Sequence, residues 1–143
     1  MRGRATDGST GPTRYVLRVA VLVVDDSEAV RARLVALIGE AVPAGIEVHG
    51  AENVRAALAV LETVKPKAVI LDFHLLGEDG LEVLDRVKAR TPATLLVVLT
   101  NEPSDYHRRA CEQRGADYFF DKSHDFERAI EVVVARLRAT WKS

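Results

Sequence analysis

At 143 residues, with 48% hydrophobic and 29% charged side chains, the chain is sized for one well-buried globular domain. A formal net charge of −1 gives no global electrostatic case for nucleic acid or an anionic membrane, and the single cysteine, Cys111, excludes a disulfide framework and a thiolate metal cluster. No apolar run approaches the length of a membrane span and no signal segment opens the chain, so the expected setting is the cytoplasm, without membrane insertion.

Residues 1–14, MRGRATDGSTGPTR, carry no apolar period and read as a flexible leader ahead of a domain over 15–143. A first strand, about Arg18 to Val24, runs into Asp25-Asp26-Ser27. Ser27 can N-cap a helix whose apolar face is Val30, Leu34, Leu37, Ile38 and Ala41, ended by Pro43 and Gly45. Ile46 to Gly50 reads as a short second strand, and Asn53 can cap a helix with Val54, Ala57, Leu58 and Leu61 on one face. The third strand, Ala68 to Leu71, closes on Asp72. A loop with Gly77 and Gly80 follows, then a helix with Leu81, Leu84 and Val87 ending near Thr91-Pro92. The fourth strand, Leu95 to Leu99, gives way to Thr100. Ser104 can cap a helix through Gln113 with Gly115 as its stop. Ala116 to Phe120 is the fifth strand, followed by Asp121-Lys122-Ser123 and a last helix from about Asp125 to Trp141.

Five βα units in a row imply an α/β fold, doubly wound, with a parallel sheet covered by helices on both faces. Strands that read as solid apolar runs agree, since both their faces must be buried. In such sheets ligands bind beyond the carboxyl ends of the strands. Those ends carry Asp25 and Asp26, Asp72, Thr100 and Lys122, all on one edge of the sheet. Three carboxylates this close repel, so their pKa values rise or a cation binds. An oxygen-only set suits a hard cation, Mg²⁺ before others, which pairs one or two carboxylates with a phosphate oxygen. With a hydroxyl at Thr100 and an ammonium at Lys122, the cluster can hold a transferred phosphoryl group, and Asp72 is the natural nucleophile.

With these residues in place the chain resembles the receiver domains of two-component response regulators. The resemblance spans roughly residues 17–141. It rests on Val23-Val24-Asp25-Asp26-Ser27, Leu71-Asp72 with Gly77-Glu78-Asp79-Gly80-Leu81, Leu99-Thr100, and Gly115-Ala116-Asp117-Tyr118-Phe119-Phe120-Asp121-Lys122. It implies a flavodoxin-like (βα)5 sandwich with a five-stranded parallel sheet in the order 2-1-3-4-5. It implies that Asp72 accepts phosphate from a sensor histidine kinase or phosphotransfer protein, and that Asp25, Asp26, Asp72 and the backbone carbonyl of His74 hold Mg²⁺. Thr100 and Lys122 would bind the phosphoryl oxygens, and Thr100 and Phe119 would form the switch. Such a module is not a conventional enzyme; it catalyses its own phosphorylation and its own dephosphorylation. The expected product is a stand-alone module, monomer or weak dimer, that binds a downstream protein partner through its fourth helix, fifth strand and fifth helix, and does not bind DNA directly.

Three positions depart from the family pattern: Leu76 and Ser123 each stand where proline is usual, and Asn101 stands where a small residue is common. Competing readings remain at this point. A Mg²⁺-dependent haloacid-dehalogenase-like phosphatase also uses an Asp nucleophile, but with Asp-x-Asp after the first strand. A flavodoxin-like phosphate binder would need a loop less acidic than Asp25-Asp26-Ser27-Glu28. The aspartates could be turn residues and caps, Thr100 a plain strand end and Lys122 a surface lysine. His74 and Glu102 read as exposed beside the site, with an effect on dephosphorylation by water as the alternative. His49, His107 and His124 share no ligand spacing and read as surface residues. Cys111 reads as a small core side chain. Arg108, Arg109 and Arg114 read as a solvated helix face or a partner-binding patch.

Overall fold

The computed structural model describes residues 19–75 and 78–141. The leader assigned to residues 1–14, the start of the first strand at Arg18, and Leu76 with Gly77 lie outside the described residues. One sheet is built from β1 (Ala20–Val24), β2 (Glu47–Ala51), β3 (Ala68–Asp72), β4 (Leu95–Thr100) and β5 (Tyr118–Asp121). Between and after them run α1 (Glu28–Ala41), α2 (Val54–Thr63), α3 (Leu81–Arg90), α4 (Asp105–Gln113) and α5 (Phe126–Trp141). All strand pairs within this sheet are parallel and the order across it is β2-β1-β3-β4-β5, as expected from the sequence.

The three central strands are buried along their whole length, so their side chains alternate between two separate half-cores. Leu22, Val24, Val69, Leu71, Leu96, Val98 and Phe119 face α2, α3 and α4. Val21, Val23, Ile70, Val97 and Leu99 face Leu34 and Ile38 of α1 and Ala129, Val133 and Leu137 of α5. Three helices begin on the caps expected of them: Ser27 accepts the Val30 N–H, Asn53 the Ala56 N–H and Ser104 the His107 N–H. Each such bond satisfies an otherwise unpaired helix donor and is worth about 1 kcal/mol. Gly115 stops α4 with φ +96°, a conformation that residues with a Cβ rarely adopt.

The strand ends differ from expectation by one or two residues, and for β5 the reason is visible. Asp117 is already engaged at its side chain: its carboxylate accepts the Leu96 N–H at 2.9 Å while its own N–H donates to the Leu96 carbonyl at 2.8 Å. Regular pairing therefore starts at Tyr118 and runs on to Asp121, opposite Thr100. β2 runs Glu47–Ala51, one residue later than expected. A feature without a sequence signal is a small antiparallel pair, His74–Leu75 with Glu78–Asp79, inside the loop after Asp72. That loop is further tied by Gly80 N–H to the Phe73 carbonyl and Phe73 N–H to the Leu99 carbonyl. No helix among the described residues is long and apolar enough to cross a membrane.

Gly80 closes this loop against the strand that bears Asp72. A Cβ there would lie 2.7 Å from Leu71 Cδ2, a fully buried atom group directly behind the site. Gly80→Ala is expected to destabilise the protein by about 1–3 kcal/mol through overpacking, measured as a lower urea midpoint with an unchanged slope.

Candidate functional site

The loops at the carboxyl edge of the sheet enclose a cleft of about 930 Å³, lined among others by Asp26, Asp72, His74, Asn101, Glu102 and Lys122. Its acidic floor follows from strand geometry. β1 and β3 are adjacent and in register, with Val24 beside Leu71, so the residues next in line, Asp25 and Asp72, share one end and one face. Asp25 is 1% exposed and Asp72 7% exposed. One oxygen from each of Asp25, Asp26 and Asp72 lies within 4.8 Å of the others.

Lys122 extends into this cluster from the end of β5. Its ammonium Nζ lies 2.7 Å from Asp25 Oδ2 and 3.1 Å from Asp72 Oδ2. Burial raises the Asp72 pKa above the usual carboxylate value; the Lys122 charge and hydrogen bond pull it down, the Asp25 charge pushes it up again, and the net direction is upward. For Lys122, burial works to lower the ammonium pKa, but the hydrogen bond to Asp25 and the charges of Asp72 and Asp25 outweigh it. The two shifts have different roots: burial dominates at Asp72, while the neighbouring carboxylates dominate at Lys122. An oxygen-only donor set of three carboxylates this close fits a small hard divalent cation, which Asp25, Asp26 and Asp72 could hold with one oxygen each.

Other parts are fixed by their own hydrogen bonds. Asp25 Oδ1 accepts the Ser27 N–H, and its carbonyl accepts from Arg31 Nη1 one and a half turns along. Asp72 Oδ1 accepts the His74 N–H, which leaves Oδ2 for Lys122. Thr100 is fully buried at the end of β4; its Oγ1 accepts the Glu102 N–H, and its carbonyl accepts the Lys122 N–H. Phe119 is buried at 5% exposure, with the Arg108 guanidinium 5.0 Å above its ring and Arg108 Nη1 donating to its carbonyl.

Asp25, Asp26, Asp72 and Lys122 are thus brought together as a unit, with His74 lining the same cleft, Thr100 tied to it through its carbonyl bond to the Lys122 N–H, and Phe119 on the sheet face toward α4. Cys111 is buried, as expected. His124 is exposed and lines the cleft. The surface assignment of His107 is corrected: its ring packs 4.8 Å from Phe73 and 5.0 Å from His74, joining α4 to the loop after Asp72. His49 is half-buried and paired with Glu47 at 3.0 Å. Arg108, Arg109 and Arg114 are exposed, yet Arg108 and Arg114 are engaged, the latter with Asp85 at 2.6 Å. Arg33, stacked 4.6 Å over Phe126 at the cleft wall, had no sequence signal beyond its place on α1.

The family model for the response regulator receiver domain matches residues 21–134. The chain is 35% identical over 121 residues to the response regulator MprA of Mycolicibacterium vanbaalenii, across 85% of this chain and 49% of that protein. It is 39% identical over 77 residues to protein-glutamate methylesterase/protein-glutamine glutaminase 1 of Anaeromyxobacter dehalogenans, across 54% of this chain and 21% of that protein. The chain therefore spans about half or less of these curated relatives. Among solved structures, it aligns with a TM-score of 0.71 and 24% identity to a response regulator from Burkholderia pseudomallei described with a phosphorylated aspartic acid, calcium ion and citrate, covering 87% of this chain and 69% of that one. A signal receiver domain from Colwellia psychrerythraea 34H gives the same TM-score at 23% identity, covering 80% and 94%. At such identities the structural likeness establishes the fold. The chain belongs to the response regulator receiver domain family. It is a phosphoacceptor-type signalling module, and the haloacid-dehalogenase-like alternative finds no support: Asp25 and Asp26 are adjacent, and the matching family model is that of receivers.

A raised Asp72 pKa means that its ionised form is disfavoured in the folded protein, so stability falls as pH rises from the unfolded carboxylate value through the folded one. Asp72→Asn is therefore expected to melt at a higher temperature than wild type at pH 7. The gap should narrow as the pH is lowered into the carboxylate range, where wild-type Asp72 also becomes neutral. Thermal melts across pH 4 to 8 check both points.

Proposed function

We propose that Asp72 is the phosphoacceptor of a two-component or phosphorelay system, with a phosphohistidine of a sensor histidine kinase or phosphotransfer protein as donor. The observation that carries this reading is Lys122 Nζ bridging Asp25 and Asp72 at the carboxyl edge of a receiver fold. One Asp72 carboxylate oxygen attacks phosphorus as the P–N bond breaks. The bonding pair leaves with the imidazole nitrogen, giving an acyl phosphate and a free histidine. Mg²⁺ held by Asp25, Asp26, Asp72 and the His74 carbonyl would supply charge neutralisation at the phosphoryl oxygens. Lys122 exchanges one carboxylate contact for a phosphoryl oxygen. Thr100, already accepting from Glu102 N–H, retains a hydroxyl proton to donate to another.

Drawing Thr100 toward the phosphoryl group biases Phe119 and α4, a population shift set off by a local charge change. Output then passes through the face of α4, β5 and α5, where Tyr106 and Tyr118 are exposed, to a downstream protein partner. Water at Asp72 reverses the modification. We place the receiver domain over residues 15–143, in the cytoplasm, as a monomer or weak dimer that makes no DNA contact of its own. The near-neutral charge supports that last point.

Incubation with acetyl phosphate and Mg²⁺ is expected to add one phosphoryl group by intact-mass measurement, and Asp72→Asn to remain unmodified. An adduct that persists in Asp72→Asn would move the nucleophile elsewhere. Lys122→Ala is expected to accept phosphate still, more slowly, while its partner binding loses most of its phosphate dependence. A partner pull-down with and without beryllofluoride reads the difference.

A further inference from the structure

Lys122 must hold its ammonium across the cleft, and its backbone is fixed by hydrogen bonds on both sides. The residue after the lysine is Ser123, where a proline is usual, so position 123 carries an N–H that can take an acceptor. The Asp121 carboxylate supplies it: Oδ1 accepts the Ser123 N–H at 2.8 Å, a side-chain-closed turn around Lys122. Asp121 is itself locked to the start of α5. Its N–H donates to Asp125 Oδ2 at 3.0 Å, its carbonyl accepts the Asp125 N–H at 2.8 Å, and the Asp125 carbonyl accepts the Ala129 N–H at 2.9 Å. On the other side, the Lys122 N–H donates to the Thr100 carbonyl at 2.9 Å. Every backbone donor from 121 to 123 is thus committed, with Lys122 at the centre of the bracket.

We infer that Asp121 is a positioning residue for phosphoryl transfer, its carboxylate fixing the turn that aims Lys122 at the site. Asp121 points its hydrogen bond at the turn and acts on the reacting atoms only through Lys122. The functional part of this inference rests on Asp72 being the phosphoacceptor.

The test measures the rate of acyl phosphate formation from acetyl phosphate and Mg²⁺ by intact mass for wild type, Asp121→Ala, Asp121→Asn, Lys122→Ala and the double variant Asp121→Ala/Lys122→Ala. Asp121→Ala is expected to slow the reaction on the order of tenfold, the scale on which small misplacements of a reacting group act. Asp121→Asn keeps an oxygen for the Ser123 N–H and is expected to restore the wild-type rate. The double variant is expected to react as slowly as Lys122→Ala alone, because Asp121 has no other route to the chemistry. Asp121→Ala should still bind Mg²⁺, read by the metal-induced rise in melting temperature, since Lys122 is not a ligand. Multiplicative slowing in the double variant, an Asp121→Asn as slow as Asp121→Ala, or loss of Mg²⁺ binding in Asp121→Ala would each overturn the inference. Wild-type protein that forms no adduct would instead sink the phosphoacceptor reading, a result legible without any variant.

Discussion

Three carboxylates gathered at one sheet edge need positive charge, and much of the architecture around the cleft answers that need. At separations under 4.8 Å, each like-charge pair costs roughly 3–4 kcal/mol at the effective dielectric of a protein surface. A fold that is stable by only about 5–15 kcal/mol cannot carry three such terms unopposed. Lys122 is the resident answer, shared between Asp25 and Asp72, yet burial above all, with the Asp25 charge added, still leaves the Asp72 pKa raised. The site is therefore held in a state that favours whatever brings more positive charge to it. The backbone bonds around Asp25, Asp72 and Lys122 keep the repelling groups from relaxing apart, so this unmet demand is a property of the folded chain.

Much of this was legible in the sequence because buried parallel strands leave a coarse mark. Solid apolar runs announced the first, third and fourth strands, and the polar residue at the end of each announced what reaches the cleft, whereas the second strand showed only as a weak alternation from Ile46 to Gly50. Ser27, Asn53 and Ser104 located helix starts to the residue because a cap is a local bond with a local signature. Strand limits were less legible, since they depend on the neighbour across the ladder: Asp117 looks like strand sequence but spends its carboxylate on Leu96. Contacts between distant segments left no periodic trace. The packing of His107 on Phe73 and His74 depends on where α4 docks, and nothing in residues 105–113 by themselves states it. The small antiparallel pair after Asp72 is two residues to a side, too short for any pattern.

The helices are not held equally. α5 is clamped to the end of α1 by Arg138, whose Nε and Nη2 both donate to the Ala41 carbonyl, and it buries Ala129, Val133, Val134 and Leu137. α4 buries Cys111 alone and otherwise leans on the Arg108 contact with Phe119, the ring of His107 and the Arg114 pair with Asp85. Few buried apolar contacts make an element cheap to displace. The least anchored helix is thus the one that touches both the loop after Asp72 and the aromatic ring on β5.

The alternation of side chains across the sheet gives this asymmetry a direction. Counting along the strands, Asp72 falls in step with Ala68 and Ile70, toward the firmly packed α1 and α5 layer, whereas Thr100 falls in step with Leu96 and Val98, on the same side as Phe119 and α4. The sheet therefore works as a bulkhead between a firmly packed helix layer, on the Asp72 side, and a lightly packed one. In the proposed function, news of a bound phosphoryl group has two crossings from one compartment to the other: the end of β4, where one hydroxyl closes the strand, and the His107 ring seated on the loop after Asp72.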